Sequence, residues 1–385
     1  MNYDRCQQTF VIVEMVHSSS NLMNNSERTL LELFLKLSFG EGAYSVDTKL
    51  GYNEALSTKS IAQGVAALVY DGIQRYYDLF PDSVAFLEQN KQIEYDLFGQ
   101  CLQIEKDYVG QWNNAKIFAD GLADFGIQVF VLKGFAISIL YPIPEHRPCS
   151  DLDCFLIKDQ SPAYDDGNNV SAYLGYRVKA DYYKHSKIKV GSLTVENHQF
   201  CLPVKGDPHS KELNRFLLSI IDDGELRYIG DSKLLSPAPM FNAVYILAHA
   251  REHFFNEGIT LRHICDWACL MRSLSDEGNA FWDEWKGHCS KFGLLAFGYS
   301  MSRLAARVCG ISAPFECPAD DGVDERVLED TLRDREKPKR GMGRRVQLVR
   351  NLLSSSWKFR EFSERSAFGF ALRRVWGYLF ERDPE

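Results

Sequence analysis

The sequence predicts an α+β protein, a small mixed β-sheet core flanked by N-terminal and C-terminal helical regions. Three observations predict it. Apolar residues recur at helical spacing up to about residue 125. They alternate with polar ones in several short runs between about 126 and 235, and helical spacing returns from 236 onward.

Each element follows from its own pattern. In "SERTLLELFLKLSF" the spacing puts Leu30, Leu31, Leu33, Phe34, Leu35 and Leu37 on a helix, with Ser26 as a candidate cap and Glu27 and Glu32 near the start. "SIAQGVAALVYDGIQRYYDLF" and "NAKIFADGLADFGI" keep the same period with no interior proline. "QVFVLKG" then reads as a short strand ended by Gly, "FAISILY" as a helix stopped by Pro142 and Pro144, and "SDLDCFLI" as a second strand. "YRVKAD", "KIKVGS" and "LTVENHQFCLPV" alternate as sheet strands do. From "SPAPMFNAVYILAHAREHFF" through "LRHICDWACLM" and "LLAFGYSMSRLAARVCG" the pattern is helical again. "ISAPFECPADDGVDE" marks a loop before a basic C-terminal segment. The expected division is an N-terminal helical region at 1–125, an α/β core at 126–235, a helical domain at 236–315 and a basic helical segment at 316–385.

Composition sets broad limits. The 385 residues are 45% apolar and 25% charged, with a formal net charge of -8, which argues against a protein built mainly to coat nucleic acid. The charge is uneven: residues 333–382 hold 14 basic and 5 acidic side chains, so the rest of the chain is strongly acidic. The ten cysteines form no CxxC pair, and Cys265 and Cys269, four apart in a helical segment, suit packing better than bridging. Glu14 interrupts the apolar stretch "TFVIVEMV", and no run approaches the roughly 18 residues of a membrane span. A soluble, cytoplasmic protein with free thiols is expected.

The chemistry centres on "RPCSDLDCFL". Residues two apart in a strand share a face, so Asp151 and Asp153 point together while Leu152 and Cys154 turn into packing. Two carboxylates on one face repel unless a cation lies between them, and oxygen ligands of this kind suit Mg²⁺ (or Mn²⁺). "SLTVENHQFCL" offers a third carboxylate, because Thr194, Glu196 and His198 share a face opposite Leu193 and Val195. Upstream, Lys133 and Gly134 precede a helix start, where phosphates can be seated.

At these residues the sequence resembles a known family. "LKGFAISILYPIPEHRPCSDLDCFL" is similar to the signature of the uncharacterised bacterial nucleotidyltransferases, a branch of the polymerase-β-like superfamily. That branch carries Leu-Lys-Gly, a short helix, Tyr-Pro and then Arg-Pro-x-x-Asp-x-Asp before an apolar strand. "VENHQF", "LAHAREHFF" and "LRHICDWACLM" resemble its later elements, and the likeness spans roughly residues 45 to 310, most specifically Lys133 to Asp153. The resemblance implies a nucleotidyltransferase-type core that uses a nucleoside triphosphate and two metal ions. It makes Asp151 and Asp153 metal ligands and Glu196 the third carboxylate, bridging or acting as base. Lys133, Gly134, Arg147 and Ser150 would lie beside the phosphates, and His198, His249, His253, Arg262 and Asp266 would line the cleft wall. The wider superfamily usually has Gly-Ser at the helix start, whereas Phe135 follows Gly134 here, so phosphate binding must lean on backbone N–H groups and Lys133.

Plainer readings stand beside these. Arg147 could pair with Asp151, Glu196 could be a solvent-face residue of an edge strand, His198 could be a hydrogen-bonded strand residue, and Arg262 could pair with Asp266 within one helix. "HAREH" fits the His-x-x-Glu-His pattern of zinc hydrolases, with His249 and His253 on one helix face and Glu252 as base. No acidic third ligand stands out downstream, so zinc is not expected there. The basic segment could hold a tRNA acceptor, as in toxin-type nucleotidyltransferases. It could instead lie on an anionic membrane, or pack through Trp357, Phe368 and Trp376. A small molecule or glycan precursor is the favoured acceptor, because the body of the chain is acidic. A core that binds nucleotide or a partner without turnover is the remaining alternative.

Overall fold

The computed structural model describes residues 23, 25–41, 54–81, 91–159, 161–205, 208–223, 227–334, 354–363 and 366–380. The stretch "TFVIVEMV" and most of the basic run, residues 335–353, lie outside the described residues.

Four helices precede the sheet: α1 (Asn25–Ser38), α2 (Glu54–Ala62), α3 (Ala66–Leu79) and α4 (Lys91–Ala123). The six apolar residues expected on one helix form the buried face of α1. Ser26 lies inside α1 and therefore does not cap it. The stretch read as one helix from Ser60 onward is divided by Gly64, whose φ of +69° is left-handed backbone that glycine adopts without steric cost.

The α/β part runs β1 (Gln128–Val131), α5 (Phe135–Ser138), a 3₁₀ turn (Pro144–His146), β2 (Leu152–Lys158), β3 (Ser161–Pro162) and α6 (Tyr164–Tyr173). It continues through β4 (Arg177–Tyr182), β5 (His185–Val190), β6 (Leu193–His198), α7 (Pro208–Asp223), β7 (Arg227–Tyr228) and β8 (Leu234–Ser236). The helix expected over "FAISILY" is only four residues long. Pro142 disfavours helical backbone at Tyr141, and the chain leaves α5 through tight turns at Leu140 and Tyr141. The mixed sheet has the order β4-β5-β6-β2-β1-β8-β7, with β3 paired to β2. The β2–β6 and β1–β8 pairs are parallel and the others antiparallel.

The two faces of the sheet enter different cores. Leu152, Cys154 and Leu156 pack with Leu193, Val195 and the α4 residues Phe118, Ala119 and Leu122. Phe155 and Ile157 face the other way, into a larger core with the helices that follow the sheet. Those helices are α8 (Pro239–Asn256), α9 (Leu261–Ser273), α10 (Gly278–Lys291), α11 (Leu295–Cys309), α12 (Asp321–Leu332), α13 (Ser356–Phe362) and α14 (Ala367–Phe380). Trp267, Trp282 and Trp285 are fully buried among them, and α11 closes on Gly310 in left-handed backbone. The nine cysteines among the described residues are free, and Cys265 and Cys269 are buried. Among the described residues, no helix is long and apolar enough to cross a membrane.

The C-terminal segment docks differently from the expectation. Phe368 and Trp376 are 71% and 61% exposed. The anchors are Phe359, Phe362 and above all Lys358, which is 1% exposed. Its Nζ donates to Asp330 Oδ2 at 2.6 Å and to Phe254 O at 2.9 Å, and lies 4.2 Å from the centre of the Phe254 ring. Trp357 adds an edge contact to Phe254 and stacks beneath the Arg326 guanidinium.

Removing one partner of a buried ion pair leaves an uncompensated charge, so Asp330→Ala should cost about 3–5 kcal/mol. Urea unfolding of the variant beside the wild type measures this, and an unchanged midpoint would contradict a Lys358 anchor.

Candidate active site

The sheet face that carries Phe155 also carries Asp153, and the parallel β2–β6 register makes Asp153 and Glu196 direct partners. Both therefore open toward the helical half of the molecule, with Asp151 just before β2 on the same side. Lys133 and Gly134 follow β1, the neighbouring strand. Gly134 has φ +65° and ψ −109°, a conformation closed to residues with a Cβ. Phe135, one residue on, turns into the α4 side of the sheet and meets Tyr108 and Trp112 edge-on, each at 5.2 Å.

The cleft between this sheet face and helices α8 and α9 has a volume of about 430 Å³. Lys133, Asp151, Asp153, His249, Arg262 and Asp266 line it, together with Gly134, Arg147, Ser150, His253 and His263. Glu196 and His198 do not line it; they stand beside Asp153 within the sheet.

Charge compensation in the cleft is centred on Lys133. Its Nζ lies 3.1 Å from Asp153 Oδ2 and 3.0 Å from His249 Nε2. Asp153 Oδ1 lies 3.0 Å from His198 Nε2, and the other ring nitrogen of His198 lies 3.1 Å from Phe200 O. Burial alone would push the Asp153 carboxyl up, but Lys133 and the contact with His198 hold it well below the usual carboxylate range. Burial and the nearby Lys184 push His198 down. A neutral His198 has one N–H for two acceptors, so Asp153 depends on Lys133. Asp153 Oδ2 is buried and has no hydrogen-bond partner among the described residues, because the Lys133 ammonium approaches as a charge rather than along a hydrogen-bond direction. Asp151 behaves oppositely: burial, then Asp153, raise its carboxyl, with Glu196 adding to the same effect.

Glu196 is held at 2.9 Å by Lys187, 3.5 Å by His185 and 3.8 Å by His198. Asp151, Asp153 and Glu196 accordingly do not form one of the groups whose ligand atoms all close to within 4.8 Å among the described residues. Those groups are His249/His253/His263, Cys101/Glu105/His146 and His185/Glu196/His198. Asp153 therefore belongs to a buried polar network, a role the Asp-x-Asp spacing alone does not disclose.

Arg147 pairs with neither Asp151 nor solvent. Its Nε and Nη2 donate to the two carboxylate oxygens of Asp266 at 2.7 and 2.8 Å, and the Tyr141 hydroxyl donates to the same carboxylate at 2.6 Å. The intrahelical Arg262–Asp266 pair is thus not formed; Arg262 Nη1 instead donates to Pro148 O at 3.3 Å. Glu252, the candidate base of a zinc hydrolase, lines a separate cleft with Arg251, Phe255 and Lys291. The residues that sequence reasoning missed are Lys184 and His185 at the β4–β5 turn, Tyr141, and His263. Burial pushes Lys184 down despite Asp153, and pushes His185 down to about 4. No local spacing marks these residues, since each reaches the site only through the tertiary fold.

Comparison with known proteins gives one family. A family model described as "Uncharacterised nucleotidyltransferase" matches residues 54–310, well over half of the chain. No curated protein and no solved structure matches the chain.

Burial would raise the Asp266 carboxyl, but Arg147 and then Arg262 bring it below its ordinary value. A carboxylate lowered in the folded state contributes stability that is complete above its unfolded value near 4 and is lost as the pH falls toward the folded value. Asp266→Asn should therefore cost about 3 kcal/mol or more at pH 7, and the gap from wild type should shrink below about pH 4. Chemical unfolding at pH 7, 5 and 3.5 checks this; a gap independent of pH would remove the ionised Asp266 from the account.

Proposed function

The chain belongs to the uncharacterised nucleotidyltransferase family. From that premise we propose that it moves a nucleotidyl group from a nucleoside triphosphate to a hydroxyl or phosphate acceptor, with Mg²⁺ or Mn²⁺ held by Asp151, Asp153 and Glu196. The observation that carries the proposal is the pair of adjacent carboxylates at the cleft: Asp153, whose buried Oδ2 is met among the described residues only by the Lys133 ammonium at 3.1 Å, and the crowded Asp151. Carboxylate oxygens that now share one ammonium suit a hard divalent cation in its place, with Glu196 brought toward them. When bound, a divalent cation supplies charge neutralisation of the phosphates and lowers the pKa of the acceptor hydroxyl.

The chain's own groups supply the rest. The Lys133 ammonium, with three donors and contacts to both Asp153 and His249, can turn toward a phosphate without leaving the cleft. Gly134, lacking a side chain, lets phosphate oxygens approach the backbone. Glu196 can swing from Lys187, which is half-exposed and easily rehydrated, toward Asp153 as third ligand or base. Arg147 holds the loop before Asp151 through Asp266, and its Nη1, 3.3 Å from Cys149 Sγ, remains at the cleft. The cleft volume is in the range of small-ligand sites and can hold the triphosphate, and the acidic body of the chain favours a small-molecule or glycan-precursor acceptor.

Asp151→Asn is the direct test. Its carboxylate is raised by burial and by its neighbours, so neutralising it should leave stability unchanged or slightly higher. Transfer from labelled triphosphate should fall at least about 100-fold, more than loss of an outer-shell partner gives. Full activity in a folded variant would refute the carboxylate site. For the acceptor, a small molecule predicts no tRNA retention at physiological salt. Tight tRNA binding that falls steeply between two salt concentrations would instead favour the toxin-type reaction.

A further inference from the structure

Three imidazoles stand on the helical wall of the cleft. His249 and His253 lie one turn apart on α8, and His263 sits in the first turn of α9. One ring nitrogen from each lies within 4.8 Å of the other two, and the Nε2 atoms of His249 and His253 are 3.1 Å apart. Two nitrogens bound at about 2.0–2.1 Å to a tetrahedral ion stand about 3.3 Å from each other, so this pair already has the required span. We infer that His249, His253 and His263 form a transition-metal site of the kind Zn²⁺ occupies, with its fourth position open to the cleft.

The far side of one ring is already fixed as a metal site needs. His253 Nδ1 donates to the Glu257 carboxylate; His263 Nδ1 accepts from the Thr260 backbone N–H at 3.1 Å, and Thr260 Oγ1, 3.0 Å away, can accept an Nδ1 proton once a cation takes Nε2. The Glu257 contact sets the His253 tautomer and leaves its Nε2 as the ligand atom, whereas His263 must move its proton from Nε2 to Nδ1 when a cation binds. Burial and the neighbouring Lys133 drive His249 well below its ordinary value, and burial takes His263 down to about 3, so both rings are neutral at pH 7. Neutral imidazole is the ligating form. His249 Nε2 lies 3.0 Å from Lys133 Nζ and 3.1 Å from His253 Nε2, so a cation entering between the rings would take the place of the ammonium at His249.

This site differs in kind from the carboxylates across the cleft. Three imidazole nitrogens favour Zn²⁺, Co²⁺, Ni²⁺ or Cu²⁺, whereas all-oxygen ligands favour Mg²⁺. Lys133 touches both, so a cation on His249 would repel the ammonium toward Asp153. Glu252 faces the other cleft, so the site is not a His-x-x-Glu-His hydrolase centre. The inference does not rest on the transfer reaction.

The test uses full-length protein stripped with chelator and titrated with Co²⁺. The expected result is one Co²⁺ per chain, with the visible absorption of a low-coordinate nitrogen site, displaced by one equivalent of Zn²⁺ and unaffected by excess Mg²⁺. His253→Asn and His263→Gln should each weaken binding at least 10-fold, while Asp151→Asn should leave it unchanged. Circular dichroism verifies folding; if His263→Gln does not fold, His253→Asn, on the more exposed ring, decides alone. The site is overturned by a spectrum no different from aqueous Co²⁺, by binding that survives loss of the histidines, or by binding that Mg²⁺ or Asp151→Asn abolishes.

Discussion

The buried Arg147–Asp266 pair is the constraint on which the cleft depends. The segment from Pro142 to Ser150 has three prolines and little regular structure, yet it must deliver Asp151 and Asp153 to the start of β2. Arg147 and Asp266 are 5% and 6% exposed, and their two parallel hydrogen bonds fix this loop to the middle of α9. A buried pair of this kind adds little net stability compared with an apolar substitute of the same shape. Its value here is geometric, because α9 also carries Arg262 and His263 into the cleft. One residue earlier, His146 ties the same loop to α3 and α4 through Asp71 at 2.7 Å and Glu105 at 2.9 Å. Burial opposes a charge on His146, but Asp71, Cys101 and Glu105 raise it to about 11, so it acts as a cation at neutral pH. The loop is thus clamped on both sides by charged hydrogen bonds.

With the loop fixed, the cleft is a problem of charge compensation. Three carboxylates at the sheet are met by Lys133, Lys184 and Lys187, and by imidazoles that burial keeps neutral. Lys133 is the shared element, touching the oxygen-rich side and the nitrogen-rich side at nearly the same distance. Its side chain is 22% exposed, so it can exchange partners at lower desolvation cost than Asp153, which is 5% exposed. The cleft is therefore rigid at Asp153 and adjustable at its cation.

What the sequence discloses follows the range of the signal. The alternation that puts Asp151 with Asp153, and Glu196 with His198, is local, so strand period two was enough to find it, and the β2–β6 pairing then joins the two pairs. The helical face of α1 was legible for the same reason. The break at Gly64 was not, since an interior glycine in a periodic run signals a helix end only when its φ is positive. Partners far apart in sequence left no mark at all. Asp266 meets Arg147 across 119 residues, and that competition decides against both pairs that near spacing suggests, Arg147–Asp151 and Arg262–Asp266. His263 illustrates the same limit: the fold brings an imidazole from the first turn of α9 to His249 and His253, a meeting that no spacing within α8 marks. The tail was misjudged through its aromatic residues, because a buried lysine, Lys358, is the anchor that composition would assign to solvent.

Phe135 shows how one departure from a pattern redistributes work within the site. A hydroxyl residue after Gly134 would face phosphate, but Phe135 is fully buried against Tyr108 and Trp112 and seals the sheet to α4. The helix it begins has only four residues, too few for its aligned peptide dipoles to sum to a useful positive end. Neither a hydroxyl nor a helix terminus is then available to hold a phosphate beside Gly134. Negative charge entering the cleft must instead be met by mobile cations, and Lys133 is the one positioned between both walls. Packing beneath the sheet at Phe135 thereby leaves the positive charge of the cleft to side chains, Lys133, Arg147 and Arg262, of which Lys133 alone touches both Asp153 and His249 among the described residues.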